Sequence, residues 1–171
     1  MMAAQDVRGH DLFFVRTGSQ EPEPFLVTPS DERRPAFSPN GAYVAYVSNE
    51  SERQEVYLRP FPGPGPKRQV STDRGNFPHW SRDGKEIFYW EVGQTGRLMR
   101  VSFEAGSEPR IGKPQALFEV PVPMVDTLAV MPDNQRFVMV KPEPEEEEPL
   151  QIVVIPGFLD EMKARLAGKK P

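Results

Sequence analysis

The fold of this chain is decided by the stretch Phe37-Ser-Pro-Asn-Gly-Ala-Tyr-Val-Ala-Tyr-Val47, which recurs twice. The copies are Trp80-Ser-Arg-Asp-Gly-Lys-Glu-Ile-Phe-Tyr-Trp90 and Val130-Met-Pro-Asp-Asn-Gln-Arg-Phe-Val-Met-Val140. Each copy predicts a strand end, a four-residue turn closed by Gly41, Gly84 or Asn134, and a second strand, because glycine and asparagine readily adopt positive φ. Gly84 follows Gly41 by 43 positions, and Asn134 follows Gly84 by 50 positions. This repeat length is typical of a four-stranded propeller blade.

The second strand of each copy is apolar at almost every position. In a sheet with one solvent-exposed face, apolar and polar residues alternate along each strand. This alternation is missing from Tyr43–Val47, Ile87–Trp90 and Phe137–Val140. Such runs predict strands that are covered on both faces. Blades of a propeller provide that cover, since each blade packs between two neighbours. A β-sandwich, which favours alternation, is the second choice.

Further strands are predicted between and beyond the three copies. They are Asp11–Val15, Pro24–Thr28, Glu55–Phe61, Arg68–Ser71, Arg97–Phe103, Gln115–Val120 and Leu150–Ile155. The chain is therefore predicted to be all-β, a partial β-propeller of roughly three four-stranded antiparallel blades, with a short C-terminal α-helix. A flexible N-terminus (1–10) precedes repeats near 11–28, 33–71, 76–120 and 126–155, and the helix and tail follow over 156–171.

Composition excludes several classes of function. The 20 prolines and 13 glycines among 171 residues predict many turns, and the net charge of −4 disfavours a nucleic-acid partner. No apolar run is long enough for a membrane helix, and Met1–His10 does not resemble a signal peptide. The absence of cysteine removes thiolate chemistry, and two histidines leave little for metal binding. We expect no cofactor and no metal site.

Several stretches resemble the WD-repeat-like propeller repeat of TolB-type proteins. Ala45-Tyr-Val-Ser-Asn-Glu-Ser51, Val56-Tyr-Leu-Arg-Pro-Phe-Pro-Gly63 and the copy that starts at Trp80 are most similar to the C-terminal propeller of bacterial serine/threonine kinases of the eukaryotic-like type. The ending Gln151–Ile155, followed by Phe158–Lys163, is similar to the closing strand and helix of that family. The resemblance implies a propeller fold and, from many relatives, an extracytoplasmic location.

The number of blades departs from the family pattern. Family propellers have about six or more blades, and closed rings need at least about four, whereas this chain accounts for roughly three. Two explanations follow: blades are missing at the N-terminal side, or two copies form a homodimer that completes a six-bladed ring.

Sequence motifs for catalysis are absent. The chain has neither the glycine-rich loop, H-R-D and D-F-G of a kinase nor the G-x-S-x-G of a serine hydrolase. His79, Ser81 and Asp83 are close in sequence, but Asp83 is predicted to shape a turn. The predicted function is therefore non-catalytic binding or scaffolding, as the sensor part of a bacterial kinase-linked or envelope system. The alternative is a hydrolase or lyase with its site at the channel mouth or at a dimer seam.

Polar residues near the starts of the inner strands are the candidate binding site. His79 is predicted to line the central channel, with Arg34 and Asp126 near the starts of their own strands. The loops that lead into these strands contribute Asp31, Arg33, Asp73, Arg74 and Asn76. This mixture of charges suits a protein or peptide partner better than a metal ion, which would need clustered carboxylates.

Overall fold

A computed structural model describes residues 9–106, 108–121 and 128–140, and this part of the chain contains strands and turns but no helix. The strands in chain order are β1 (Leu12–Phe14), β2 (Glu23–Leu26), β3 (Glu32–Phe37), β4 (Tyr43–Ser48), β5 (Glu55–Pro60), β6 (Arg68–Gln69), β7 (Gly75–Trp80), β8 (Glu86–Val92), β9 (Thr95–Glu104), β10 (Arg110–Ile111), β11 (Gln115–Pro121), β12 (Leu128–Val130) and β13 (Phe137–Met139). The prediction of an all-β fold is confirmed for these residues.

The strands form antiparallel sheets that follow chain order. β1 pairs with β2, β3–β6 form a four-stranded meander, and β12 pairs with β13. Between them lies a sheet ordered β7-β8-β9, in which both β10 and β11 pair with β9. Because every strand pairs with a near neighbour in sequence, each sheet is built from hairpins.

The three repeated turns have the geometry that the sequence predicts. Gly41, Gly84 and Asn134 lie at φ of 69°, 71° and 57°. The amide of each donates to the carbonyl three residues earlier, at 2.8, 3.0 and 2.9 Å. In the second turn the hydroxyl of Ser81 also donates to Asp83, at 2.7 Å. Asp83 therefore shapes the turn, since its carboxylate also accepts the amide of Lys85 at 3.1 Å.

Successive sheets pack face to face around three hydrophobic clusters. The first cluster lies between the β3–β6 sheet and the β7–β9 sheet, the second between the β7–β9 sheet and β12–β13, and the third between β1–β2 and the β3–β6 sheet. Every residue of β4 is buried, and so are Ile87, Phe88, Tyr89 and Trp90 of β8. The predicted cover on both faces is thus confirmed for these two strands. In β13, by contrast, Val138 is 62% exposed.

One difference from the predicted strands concerns the second half of the chain. β10 was not predicted, and its two residues pair with the far end of the ten-residue β9. The predicted strand at 150–155, the C-terminal helix and Asp126 lie outside the described residues, so the number of blades and the helix stay predictions. In the part of the chain that the structure describes, no helix could span a membrane.

β3 and β7 share an irregularity that positions the candidate site. Glu32-Arg-Arg-Pro-Ala-Phe-Ser38 aligns with Gly75-Asn-Phe-Pro-His-Trp-Ser81, 43 positions later. The strand register shifts between Arg33 and Ala36 in β3 and between Asn76 and His79 in β7. Inside each bulge the residue before proline has positive φ: 54° at Arg34 and 52° at Phe77. The two bulges therefore present equivalent residues on adjacent strands.

Candidate functional site

The candidate site lies at the end of the sheets where β3 and β7 begin, which we call the loop end. It is formed by the loops 27–31 and 71–74, which lead into β3 and β7, and by the hairpin loops 49–54 and 93–94. The repeated turns at 38–41, 81–84 and 131–134 form the opposite end, the turn end. Seven of the eight predicted binding residues are described, and all except His79 lie on these loops or on the first three residues of β3 and β7.

Arg34 and Phe77 make the most specific contact of the loop end. The Arg34 guanidinium carbon lies 3.6 Å from the centroid of the Phe77 ring. A cation over an aromatic face is attracted by the ring quadrupole, by about 0.5–2 kcal/mol depending on solvent exposure. Because the two residues occupy matching positions of β3 and β7, this contact joins two adjacent inner strands.

Asp31 organises the loop before β3. Its carboxylate accepts hydrogen bonds from the backbone amide of His10 at 2.8 Å and from Arg33 Nε at 2.7 Å, and it contacts His10 Nδ1 at 2.7 Å. Its own amide donates to Asn49 Oδ1 at 2.8 Å. Partial burial alone would raise the pKa of Asp31, but the hydrogen bonds from Arg33 and His10 and the charge of Arg33 outweigh it and lower the pKa to about 2.

Glu55 performs the corresponding task for the loop before β7. Its side chain is 1% exposed, and its carboxylate accepts hydrogen bonds from Ser71 Oγ at 2.5 Å and from the amides of Arg74 and Gly75 at 3.0 and 3.2 Å. The same Ser71 hydroxyl accepts the amide of Val56 at 2.7 Å. The loop is thereby fixed with Arg74 at φ 57° and with its side chain exposed at the surface.

A cleft of about 430 Å³ opens beside this loop, between it and the β8–β9 hairpin. The residues that line it are Asp73, Arg74, Glu91, Val92, Gly93, Gln94, Thr95 and Arg97. Glu91 and Arg97 form an ion pair across the cleft wall. The side chains of Asp73 and Arg74 are exposed at its rim. The lining is mostly polar and charged, whereas drug-like ligands favour apolar pockets.

Asn76 and His79 are both less exposed than the neighbouring loop residues Asp73 and Arg74. Asn76 is only 9% exposed, donates to Gln54 Oε1 at 2.6 Å and accepts the amide of Phe77 at 2.9 Å, so its side chain holds the bulge. His79 is half-buried and pairs with Phe88 of β8. Burial lowers the pKa of its imidazole, and no described side chain hydrogen bonds to the ring.

The structure thus separates the predicted residues into groups. It brings together Asp31 with Arg33, and Asp73 with Arg74 in the cleft, while Arg34 contacts Phe77, which was not predicted. His10, Gln54, Glu55, Glu91 and Arg97 were also missed. The signal for Phe77 was available in the sequence, since Arg34-Pro35 and Phe77-Pro78 are 43 positions apart, the same spacing as Gly41 and Gly84.

Carboxylates and histidines of the loop end are dispersed. Within residues 9–106, 108–121 and 128–140, no three of His, Cys, Asp or Glu are grouped as metal ligands would be. Each acidic side chain is paired with a basic one, Asp31 with Arg33 on one side and Glu91 with Arg97 on the other. This arrangement provides charged and hydrogen-bonding groups for an extended contact.

Comparison with known proteins gives matches among solved structures only. No protein-family model and no curated protein matches the chain. The TolB of Acinetobacter baumannii is 16% identical with a TM-score of 0.45, over 73% of this chain and 41% of that one. A TolB structure from Agrobacterium tumefaciens is 13% identical with a TM-score of 0.43, over 66% of this chain and 58% of that one. The chain therefore spans about half the length of these two TolB structures.

Proposed function

We propose that this chain is a non-catalytic binding module whose loop end contacts a protein or peptide. The observation that carries the proposal is the stack of Arg34 on Phe77 at 3.6 Å, formed by two residues held at positive φ. Left-handed backbone costs a non-glycine residue about 1–3 kcal/mol, and such strain is concentrated at ligand-contacting sites. Two equivalent strained positions that meet in one cation–π contact favour a surface shaped for recognition.

The charge distribution favours a partner that carries both signs. Arg33 and Arg74 lie within two residues of Asp31 and Asp73, respectively, so a polyanion would meet carboxylates as well as guanidinium groups. A peptide segment offers both charges together with backbone donors and acceptors, which the polar cleft could pair. This chemistry supports the choice of a protein or peptide over nucleic acid.

We also propose that the sheets are consecutive blades of a TolB-type propeller. The support is threefold: meander order within the β3–β6 sheet, repetition of its turn after 43 positions, and burial of β4 and β8 on both faces. In this proposal the chain contributes about three blades, and residues 156–171 supply the closing helix. A sensor role in a kinase-linked or envelope system rests on the resemblance of residues 45–51 and 56–63 to that family.

The alternative of a hydrolase or lyase has no observation in its favour among the described residues. His79 would be the general base, but its imidazole has no carboxylate orienting it. Ser81 is 0% exposed and donates to Asp83 within its turn, so it is not available as a nucleophile.

Selection of peptides on the loop end tests the proposed function. A random peptide library displayed on phage is panned on the purified chain, and the selected peptides are synthesised and titrated by isothermal calorimetry. We expect Arg34→Ala and Arg74→Glu each to weaken binding by about 10-fold or more, the loss of one good contact of about 1.4 kcal/mol. Arg34→Lys keeps the charge but not the planar stack, so it should weaken binding as well.

Arg110→Glu is the matched control, because Arg110 is an exposed arginine near the turn end. Affinity should be unchanged in this variant. Selected peptides that bind Arg34→Ala and Arg74→Glu as well as they bind the unmodified chain would contradict a site at the loop end.

A further inference from the structure

The first repeated turn differs from the other two in the residue that comes directly before its positive-φ position. That residue is Asn40, followed by Gly41, whereas the other two turns have Asp83 and Asp133 there. The chain has four asparagines, and Asn40 is the only one followed by glycine. An asparagine before glycine is the pair most prone to close into a cyclic succinimide, because glycine has no Cβ to hinder its attacking nitrogen.

Hydrogen bonds within this turn polarise the side-chain carbonyl of Asn40. Its Oδ1 accepts from Ser38 Oγ at 2.8 Å and from the amide of Ala42 at 3.1 Å. Negative charge develops on this oxygen when a nucleophile adds to the carbonyl carbon, and donors already aimed at the oxygen stabilise that charge. The folded turn therefore favours attack on the Asn40 side chain.

The attacking nitrogen would be that of Gly41, and its surroundings are open. Gly41 is exposed, and a Cβ built on it would have no other heavy atom within 4 Å. Its amide donates to the carbonyl of Ser38 at 2.8 Å. This bond lies at the exposed tip of the β3–β4 hairpin, where it can break as the nitrogen turns toward the side chain, and water can reach the product.

The second repeated turn has the same hydrogen bonds but a less reactive side chain. Asp83 Oδ1 accepts from Ser81 Oγ at 2.7 Å and from the amide of Lys85 at 3.1 Å. These bonds lower the pKa of the Asp83 carboxyl, so it is ionised at neutral pH, and a carboxylate is a poor electrophile. The second turn also shows that aspartate fits the position that Asn40 occupies in the first.

We propose that Asn40 is a site of spontaneous deamidation in the folded chain. The Gly41 nitrogen forms a bond to the side-chain carbonyl carbon of Asn40, and the bond from that carbon to the side-chain nitrogen breaks. The amide proton of Gly41 leaves with the side-chain nitrogen as ammonia. Water then opens the succinimide ring at one of its two carbonyls, which gives aspartate or iso-aspartate at position 40.

The two products have different consequences for the turn end. Aspartate reproduces the hydrogen bonds of Asp83 and adds a negative charge to the cavity of about 490 Å³ that Asn40 shares with Asp83 and Lys85. Iso-aspartate places an extra methylene group in the backbone, so the spacing that lets the Gly41 amide reach the Ser38 carbonyl is lost. We expect the first product to preserve the β3–β4 hairpin and the second to destabilise it.

Peptide mapping by mass spectrometry follows the reaction in the full chain, incubated at pH 8 without denaturant. We expect conversion of the side-chain amide to an acid at Asn40 to be at least about 10-fold faster than at Asn49, a difference of about 1.4 kcal/mol in activation free energy. Asn49 is the internal control, because it is also exposed but is followed by Glu50.

A parallel incubation in urea distinguishes reaction in the folded turn from reaction in the unfolded chain. The proposal is overturned if Asn40 converts no faster than Asn49, or if it converts in urea and not in the folded chain. Asn40→Asp supplies the aspartate product directly, and its urea midpoint should equal that of the unmodified chain. A clearly lower midpoint would show that the first turn does not accommodate aspartate.

Discussion

Arg34 and Phe77 both precede a proline, and both lie in the left-handed region of backbone conformation. Residues before proline ordinarily adopt extended conformations, so local preference predicts a straight strand at either position. Each residue instead sits in a bulge that turns its side chain toward the neighbouring inner strand. The price in backbone strain is offset by tertiary contacts, including the hydrogen bond from the indole of Trp80 to the carbonyl of Ala36 at 3.0 Å.

Sequence reasoning succeeds at positions where local conformation decides the structure. Gly41, Gly84 and Asn134 could be assigned to turns because few other residues accept positive φ. It fails where long-range contacts decide. The hydrogen bond from the Asn76 amide to Gln54, 22 positions away, could not be read from the sequence, and Phe77 was not among the candidate residues.

The stability of the chain should fall in mild acid because of His79. Burial lowers the pKa of this imidazole below its ordinary value of 6.5, so the unfolded chain binds a proton more readily than the folded chain. The stabilisation is complete above the unfolded pKa and is lost as the pH falls through the folded pKa. Urea unfolding followed by circular dichroism at pH 7.5, 6.5, 5.5 and 5.0 should show a falling free energy of unfolding, and His79→Gln should flatten this decline.

The chain has one other histidine, His10, whose ring is 67% exposed. His10→Gln is therefore the matched control, and its pH profile should keep the decline attributed to His79. Equal slopes for the unmodified chain and His79→Gln would show that another group is responsible.

At the scale of elements, the strands that recur every 43 or 50 positions were predicted nearly within their observed bounds. Tyr43–Val47 was expected and Tyr43–Ser48 is found; Gln115–Val120 was expected and Gln115–Pro121 is found. β10 has only two residues between Pro109 and Gly112, too few for a periodic pattern. It exists because the long β9 leaves its last residues unpaired by β11, and Arg110 and Ile111 pair with them.

The loop before β7 depends on a single buried carboxylate. Glu55→Gln keeps the size of the side chain but replaces one acceptor oxygen with a donor, which would face either the amide of Arg74 or the amide of Gly75 and the Ser71 hydroxyl. We expect the free energy of unfolding to fall by about 1–3 kcal/mol, the cost of leaving a buried group without its partner. Urea unfolding at pH 7 measures this change.

Glu104→Gln makes the same chemical change at an exposed position on β9, and it should alter stability by less than about 0.5 kcal/mol. Similar effects in the two variants would contradict an anchoring role for Glu55.

The whole described part of the chain is a stack in which hydrophobic clusters join one sheet to the next. Ile87 and Tyr89 face the β3–β6 sheet from one side of β8, while Phe88 and Trp90 face β12–β13 from the other. Because β8 contributes side chains to both clusters, a substitution that loosens the packing of one cluster should also weaken the other. The apolar runs of the sequence indicated this layering, but the cluster that each side chain joins could be assigned only once the sheets were placed.

Ile87→Ala tests whether the sheets on the two sides of a hydrophobic cluster unfold together. Ile87 is 0% exposed in the cluster between the two largest sheets, so the variant should lose about 2–5 kcal/mol of stability and still unfold in one transition. Ile111→Ala, at the partly buried margin of the same cluster, should lose less. Two separate transitions in circular dichroism, with only one moved by Ile87→Ala, would show that the sheets are independent units.

The two tryptophans of the chain lie in different hydrophobic clusters. Trp80 packs against the cluster between the β3–β6 and β7–β9 sheets, and Trp90 belongs to the cluster between the β7–β9 sheet and β12–β13. Trp80 is half-buried beside Phe103 and bonded to Ala36, whereas Trp90 is 0% exposed beside Phe118. The chain therefore has one intrinsic tryptophan fluorophore in each of these two clusters. Because Trp90 is shielded from water, it should fluoresce at a shorter wavelength than Trp80. Trp80→Phe leaves Trp90 as the single tryptophan, whose fluorescence reports only on the cluster between the β7–β9 sheet and β12–β13. Separate fluorescence signals from one unlabelled chain would show in which order the layers come apart.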